Sequence, residues 1–269
     1  MVEDTEIGLL LNDVQEYYGY DFNMYSKASI FRRINRLFSL DKFMSFEEFR
    51  NKVVTDRDYF KRFVEEITVN VTEMFRDPLF YKTIREQVLP QLATKPFIRI
   101  WHAGCSTGEE VYSMAILLHE ANLLRKSLIY ATDINPEVLM KAKSGIFPLS
   151  YLRQYSENYI LSGGRQDFSS YYSANYGSAK FNELLSERMI YSTHNLVSDG
   201  SFNEFHLIMC RNVFIYFDKN LQQRVFQLFD SSLETLGYLA LGSKETLKFS
   251  SISPKYKQID KEKLWRKIV

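Results

Sequence analysis

The feature that most constrains the fold is an alternation of short apolar runs with amphipathic helices in the second part of the chain. The runs FIRIWHA, SLIYATD, FHLIMC and GYLALG are each typical of a buried strand, and helical periodicity occurs in the stretches between them. Parallel strands need crossover connections, which are usually helices. The alternation therefore predicts an α/β fold with a doubly wound, mostly parallel sheet and helices on both faces.

The chain has a different character before residue 70. Apolar residues recur there at helical spacing in three stretches: Ile7, Leu10, Leu11 and Val14; Ile30, Ile34, Leu37 and Phe38; Phe60, Phe63, Val64 and Ile67. We therefore expect an all-helical N-terminal domain over residues 1–69 and the α/β domain over residues 70–269. Residues from about 149 to 187 are rich in Tyr, Ser and Gly without a clear period, and we expect them to form a small β insertion.

Composition and charge exclude several classes of function. Lys plus Arg is 34 and Asp plus Glu is 33, so the net charge of +1 gives no general field for nucleic acid or an anionic membrane. The apolar runs are too short to span a membrane and the acidic N-terminus is unlike a signal peptide, so we expect a cytoplasmic protein. Cys105 and Cys210 lie far apart without metal-ligand spacing, which predicts reduced thiols and no metal site.

The loop after the first strand-like run, HAGCSTGEEVYS, carries the strongest chemical signal. Ligands of an open parallel sheet bind at the carboxyl ends of its strands, and Gly104 and Gly108 allow close backbone approach there. A dinucleotide site would hold phosphate at the helix start, where Glu109 and Glu110 would instead repel phosphate and tolerate a cation. Asp133 ends the next run, where it can accept hydrogen bonds from both hydroxyls of a ribose.

These residues favour S-adenosylmethionine, which is a cation with a ribose and no phosphate. A NAD-dependent enzyme is the alternative at this point. Each residue also has a purely structural explanation, because the helix dipole favours glutamate at a helix start and Asp133 can cap the following helix.

Five motifs in order carry a resemblance to a known family: NVTEMFRD, GCSTGEEVYSMA, ATDIN, HNL and CRNVFIYFD. They resemble the CheR family, the S-adenosylmethionine-dependent protein-glutamate methyltransferases of bacterial chemotaxis. The resemblance covers nearly the whole chain, including the helical N-terminal part. It implies a Rossmann-like methyltransferase domain, S-adenosylmethionine as the cofactor, S-adenosylhomocysteine as the product and methylation of chemoreceptor glutamates.

The functional residues of the family are carried over onto the matching positions of this chain. The resemblance implies that Arg76 and Tyr216 lie at the reacting centre, where Arg76 holds the substrate carboxylate. It also implies a ribose contact for Asp133, an adenine contact for the pair Asn195–Leu196, and a loop-shaping function for the pair Arg211–Asn212. The complete implied cofactor site is Asn70, Thr72, Arg76, Gly104, Glu110, Asp133, Asn195, Leu196, Arg211 and Asn212.

A basic helix face indicates how an acceptor protein docks. On a helical wheel, Arg32, Arg33 and Arg36 gather opposite the apolar stripe that begins at Ile30. Such a face suits an acidic partner helix, although exposed arginines are also common on ordinary solvated helices. The resemblance implies docking on the cytoplasmic helical region of chemoreceptors or related signalling proteins. We expect a monomer that binds no nucleic acid and does not insert into membranes.

Two alternatives for the function remain open from the sequence. The first is a carboxyl methyltransferase with an acceptor outside chemotaxis. The second is a non-catalytic signalling module that senses S-adenosylmethionine. A nucleic-acid methyltransferase is disfavoured by the near-zero net charge and by the lack of an Asn-Pro-Pro-Tyr-like motif.

Overall fold

The computed structural model describes residues 2–68, 71–259 and 261–269. The apolar faces of its first helices meet in a core of their own, in which Ile34, Phe49 and Phe63 are fully buried. The helical spacing of apolar residues in the sequence therefore corresponds to buried helix faces. These helices are α1 Asp4–Tyr18, α2 Lys27–Leu40, α3 Phe46–Thr55 and α4 Arg57–Thr68.

The remaining described residues alternate helices with strands, and short 3₁₀ or π-helical turns join several of them. The elements in chain order are α5 Pro78–Thr83, α6 Leu89–Leu92, β1 Ile98–Ala103, α7 Glu109–Glu120, β2 Ser127–Asp133, α8 Pro136–Ser144, β3 Ile146–Pro148, α9 Leu152–Leu161, β4 Tyr172–Asn175, β5 Ser178–Phe181, α10 Glu183–Ser186, β6 Met189–Thr193, β7 Phe205–Cys210, α11 Lys219–Ser232, β8 Leu233–Leu241, β9 Tyr256–Gln258 and β10 Leu264–Lys267.

Seven strands of the described chain form the main sheet, in the order β6-β2-β1-β7-β8-β10-β9. The first five strands are parallel to their neighbours, and β10 and β9 join antiparallel at one edge. The chain moves from β1 to β2 on one side and later returns to β7 on the other side. A topological switch point therefore lies beside β1. The prediction of a doubly wound, mostly parallel, Rossmann-like sheet is confirmed.

Alternate side chains of the strands enter two cores on opposite faces of the sheet. On one face, Ile100 and Met209 belong to the same buried cluster as Ile116 of α7. On the other face, Trp101 packs edge-on against Phe229 of α11, with ring centroids 5.3 Å apart. Helices thus cover both faces, which explains why β1 and β7 are buried along nearly their whole length.

The expected β insertion is a second, antiparallel sheet in the order β3-β5-β4, and its first strand lies just before the predicted range of about 149 to 187. Its first strand follows α8 directly, because Gly145 reverses the chain with a φ of 62°. Phe147 and Phe181 from this sheet pack on Tyr112 of α7, with ring centroids 5.5 Å from it. The insertion is therefore anchored on the helix that follows β1.

Candidate active site

A pocket lies at the carboxyl ends of the central strands, beside the switch point. Its walls come from the helical unit, from the segment before α5 and from the loops after β1, β2, β6 and β7. All residues that the resemblance assigned to the cofactor and the reacting centre line it, except Asn70, which lies outside the described residues. Those that line it are Thr72, Arg76, Gly104, Glu110, Asp133, Asn195, Leu196, Arg211, Asn212 and Tyr216.

Backbone geometry brings the β1–α7 loop close to its neighbours. Gly104 and Gly108 have φ values of 77° and 95°, which strain any residue with a side chain. A Cβ on Gly104 would lie 2.6 Å from Cγ2 of Val213, and one on Gly108 would lie 2.8 Å from Cβ of Ala142. The Gly104 N–H donates to the carbonyl of Thr132 at 2.8 Å, which holds the loop on the end of β2. Glycine is therefore required at both positions.

Asp133 ends β2 and is only 7% exposed. Its carboxylate accepts backbone hydrogen bonds from Ser106 at 2.9 Å and from Asn135 at 3.0 Å. Burial raises the pKa of Asp133, and these backbone hydrogen bonds oppose the shift. Each carboxylate oxygen has a second acceptor position, so Asp133 can fix the loop and still accept hydroxyl groups from a ligand.

The two adjacent glutamates at the start of α7 have different surroundings. Glu110 lines the pocket, with Oε1 2.9 Å from Nδ1 of His102 and Oε2 3.3 Å from Nη1 of Arg211. Burial alone would raise the pKa of Glu110, but the hydrogen bond from His102 and the charges of His102 and Arg211 lower it. Glu109 is buried outside this pocket. Glu110 is therefore the charged carboxylate that can bind a cationic group.

Arg211, directly after β7, connects three walls of the site through its buried guanidinium. The side chain is 2% exposed, lies 4.1 Å from the ring centroid of Phe80, and pairs with both Glu110 and Asp77. Its Nη2 is 2.6 Å from Oδ2 of Asp77 and donates to the carbonyl of Arg76 at 3.1 Å. Arg211 therefore fixes the segment of Arg76 relative to the start of α7.

Glu245 was not among the residues predicted from the sequence, yet it holds the loop that carries Tyr216. It is 5% exposed, and its carboxylate accepts backbone N–H bonds from Gly242 at 2.6 Å, Asn212 at 3.0 Å and Ile215 at 3.3 Å. The available sequence signal was an acidic residue just beyond the run GYLALG, at the sheet edge where the other site residues lie.

Arg76 and Tyr216 line the same pocket from two different segments. The residues on both sides of Arg76, Phe75 and Asp77, have left-handed φ values of 53° and 59°, so this segment makes a tight turn. Burial raises the pKa of Tyr216, whereas the charges of Arg33 and Arg76 oppose the shift. Tyr216 is therefore a protonated hydrogen-bond donor at neutral pH, close to two guanidinium groups.

The helical unit contributes directly to the pocket. Tyr25 lines it and lies edge-on to Phe217, with ring centroids 5.3 Å apart. The backbone of Tyr25 forms an antiparallel bridge with Phe217, and the Ser26 N–H donates to the carbonyl of Tyr216 at 2.8 Å. The residues just before α2 are thus hydrogen-bonded to the loop of the reacting centre.

The three arginines of α2 do not form the single exposed face that the helical wheel indicated. Arg32 and Arg36 are exposed, and Arg36 pairs with Glu66 at 2.5 Å. Arg33 instead lies over the Tyr216 ring, 5.9 Å from its centroid, and donates to the Glu66 carbonyl at 3.0 Å. The reason is that α2 packs beside the loop of Tyr216, which covers one edge of the predicted face.

Three further observations concern membranes, metals and thiols. No helix in the described part of the chain combines the length and the apolar character needed to cross a membrane. No cluster of three or more His, Cys, Asp or Glu side chains within the described ranges is arranged to hold a metal ion. Cys105 and Cys210 are buried free thiols, and burial raises the pKa of both.

Comparisons with known proteins agree with this geometry. The family model "CheR methyltransferase, all-alpha domain" matches residues 5–68, and "CheR methyltransferase, SAM binding domain" matches residues 70–263. The protein Cher3 of Pseudomonas putida (strain KT2440) is 46% identical over 267 residues, which cover 98% of this chain and 97% of that protein.

Two relatives with a chemotaxis name are more distant. The chemotaxis protein methyltransferase of Listeria innocua is 30% identical over 85% of this chain and 85% of its own length. That of Borreliella burgdorferi is 30% identical over 92% of this chain and 90% of its own. The chain therefore belongs to the CheR methyltransferase family, and its cofactor is S-adenosylmethionine.

Proposed function

We propose that this protein is a protein-glutamate O-methyltransferase that modifies glutamate side chains of chemoreceptors. The observation that carries the proposal is the presence of Arg76 and Tyr216 together in the pocket of a CheR-family methyltransferase. The names of the Listeria and Borreliella relatives support an acceptor from the chemotaxis system.

The residues of the pocket suit this cofactor. Asp133 can accept the ribose hydroxyls, and the charged carboxylate of Glu110 can bind the ammonium group of the amino-acid end. Asn195 and Leu196 line the same pocket, and we assign them to the adenine. When bound, S-adenosylmethionine supplies an electrophilic methyl group on a sulfonium, which is a good leaving group.

The acceptor needs little acid–base assistance. A glutamate side chain has an ordinary pKa of about 4.3, so it is already ionised at neutral pH and needs no general base. Arg76 can hold one carboxylate oxygen and thereby direct the other, while the Tyr216 hydroxyl donates a second hydrogen bond. Correct orientation of the reacting groups can contribute roughly 7–11 kcal/mol to lowering the barrier.

The helix α2 provides the entry side for an acidic helical partner. Arg32 and Arg36 lie exposed on this helix, and Arg33 lies over the Tyr216 ring. We assign Arg32 and Arg36 to docking. Arg33 then meets the glutamate as it approaches Arg76.

The proposal is tested with the cytoplasmic fragment of a chemoreceptor from the source organism. The fragment is incubated with the protein and S-adenosylmethionine, and the modified side chains are located by mass spectrometry. We expect methyl groups on glutamate side chains, and their loss when those glutamates are replaced by alanine. Methyl groups on other residue types, or no transfer by protein that binds S-adenosylhomocysteine, would contradict it.

A further inference from the structure

Glu109, which the proposed mechanism does not use, lines a second groove next to the cofactor pocket. This groove has a volume of about 580 Å³ and lies between the segment Val71–Glu73 and residues 146–155 of the β insertion. The segment Val71–Glu73 lines both the groove and the cofactor pocket. A single stretch of chain therefore separates the groove from the pocket in which the methyl group is transferred.

The rim of the groove is apolar and exposed. Val71, Ile146 and Tyr151 all line it, with exposures of 75%, 49% and 54%. A single exposed apolar side chain is normal on a protein surface. Several around one concave site indicate a surface that another molecule covers.

The base of the groove contains a buried carboxylate with acceptor capacity left. Glu109 is 5% exposed, and its Oε2 accepts the Thr107 hydroxyl at 2.6 Å. The Tyr155 hydroxyl lies 3.5 Å from Oε1, at the outer limit of a hydrogen bond. Buried carboxylates usually have well-made hydrogen bonds, so a donor placed in the groove would complete this one.

The groove also borders the helical unit. Lys141 lines it and pairs with Glu65 of α4 at 3.2 Å. The groove therefore borders α4, whose Glu66 pairs with Arg36 of α2, on one side and the cofactor pocket on the other. A protein that reaches the pocket from α2 and extends across Val71–Glu73 comes to lie over the groove.

We propose that this groove docks the stretch of the acceptor protein that flanks the target glutamate. An apolar side chain of the acceptor packs against Val71 and Tyr151, and a hydrogen-bond donor of the acceptor bonds to Glu109. The inference rests on the proposed function and adds a second recognition element to it. Charge on α2 attracts the acceptor, and the groove selects the sequence around the glutamate.

Substitutions in the groove test this docking, with the cytoplasmic chemoreceptor fragment as the probe. Tyr151→Ala removes an exposed ring, and Ile160→Ala on α9, where Ile160 is 64% exposed and does not line the groove, is the matched control. We expect Tyr151→Ala to raise the KM for the fragment about fivefold. Turnover and S-adenosylhomocysteine affinity should stay near wild type, as should all three values in the control. An unchanged KM would overturn the proposal.

Glu109→Gln tests the polar part of the groove. The amide has nearly the same shape as the carboxylate, but it replaces one acceptor oxygen with a donor. We expect a higher KM for the fragment, together with an S-adenosylhomocysteine affinity and a thermal midpoint close to those of the wild type. A wild-type KM in Glu109→Gln would contradict the proposed hydrogen bond from the acceptor to Glu109.

Hydrogen exchange separates failure of this proposal from failure of the proposed function. The fragment is added to the wild-type protein saturated with S-adenosylhomocysteine, and amide exchange is followed in residues 146–155, with the saturated protein alone as the reference. Residues 71–73 are left out because they also line the cofactor pocket. Methyl transfer is assayed separately with S-adenosylmethionine. Slower exchange without methyl transfer would uphold docking in the groove and contradict the proposed function. Methyl transfer with unchanged exchange would contradict docking in the groove and uphold the proposed function.

Discussion

Arg76 is the residue whose substitution most directly separates catalysis from cofactor binding. In the proposed mechanism Arg76 holds the acceptor carboxylate, so Arg76→Ala should lower turnover about 100-fold, the order expected when a reacting group is misplaced. S-adenosylhomocysteine affinity should stay within about threefold, because Asp133 and Glu110 are intact. Turnover is measured with the receptor fragment and affinity by calorimetry. An equal loss of both would contradict the assignment.

Asp133 and Glu110 should respond differently to pH. Burial raises the pKa of Asp133, opposed by its backbone hydrogen bonds, whereas the pKa of Glu110 is lowered, because its partners outweigh its own burial. As pH falls, Asp133 therefore takes up a proton at a higher pH than an ordinary aspartate and loses acceptor capacity for the ribose. We expect S-adenosylhomocysteine affinity to decline on acidification at a pH above the ordinary aspartate pKa of about 3.9, whereas Glu110 keeps its charge down to a pH below the ordinary glutamate pKa of about 4.3.

This pH dependence is measured by titrating S-adenosylhomocysteine at a series of pH values from about 8 down to 4, the ordinary aspartate pKa being about 3.9. Asp133→Asn is the control, since it cannot ionise and should bind weakly without the same slope. If the slope persisted in this variant, a group other than Asp133 would be the one that titrates.

Arg211 is expected to matter for stability through its buried ion pairs. A buried pair adds little net stability, but removal of one partner leaves an uncompensated charge and costs about 3–5 kcal/mol. Arg211→Met should lower the free energy of unfolding toward the lower end of that range of about 3–5 kcal/mol, because Glu110 keeps only His102 as a partner and the partly exposed Asp77 loses its own. Urea unfolding measures the change, and adding Glu110→Gln should restore part of it. A wild-type unfolding midpoint would contradict the structural function of Arg211.

At the scale of secondary structure, α2 is joined to the loop of Tyr216. Its arginines Arg32 and Arg36 are exposed, whereas Arg33 lies over the Tyr216 ring. The backbone bridge just before α2 joins the same helix to the loop of Tyr216. Under the proposed function, an acceptor that docks on α2 therefore contacts a helix bonded to the segment that we assign to positioning its glutamate.

Charge reversal on α2 tests whether Arg32 and Arg36 differ in function from Arg33. Arg32→Glu with Arg36→Glu should raise the KM for the receptor fragment about tenfold, because an acidic partner is then repelled. S-adenosylhomocysteine affinity should not change. Arg33→Gln should lower turnover more than it raises KM, because Arg33 touches the Tyr216 ring. All values come from steady-state kinetics with the receptor fragment.

The matched control for α2 reverses two exposed lysines that do not line the pocket, Lys248→Glu with Lys257→Glu. This control changes the net charge by the same amount as the α2 double variant. An equal rise in KM in the control would show that net charge, rather than the α2 surface, governs the association.

For the whole molecule, the sequence was sufficient to predict where a residue lies wherever a local pattern determines the element to which the residue belongs. The alternation of apolar runs with helices predicted the parallel sheet, and Gly104, Glu110 and Asp133 were predicted because they sit just after strand-like runs. Parallel strands place such loops at one edge of the sheet, and these residues do line one pocket.

The sequence was insufficient where distant parts of the chain come together. Tyr25 reaches the pocket through its bridge to Phe217. Glu245 accepts a backbone hydrogen bond from the loop after β7, although α11 and β8 separate the two in the sequence. A helical wheel gives the direction in which Arg33 points from the axis of α2. It does not identify the loop of Tyr216 as the neighbour on that side. These contacts depend on tertiary packing, which periodicity does not encode.

The most direct test of the central claim is methyl transfer from S-adenosylmethionine labelled in its methyl group to membranes of the source organism. The labelled membranes are then treated with mild alkali, which hydrolyses carboxyl methyl esters. We expect label on a receptor-sized protein, released by the alkali as volatile methanol and incorporated about 100-fold more slowly with the Arg76→Ala variant. Label that withstands alkali, or no label from protein shown to bind S-adenosylhomocysteine, would contradict carboxyl methylation of a chemoreceptor.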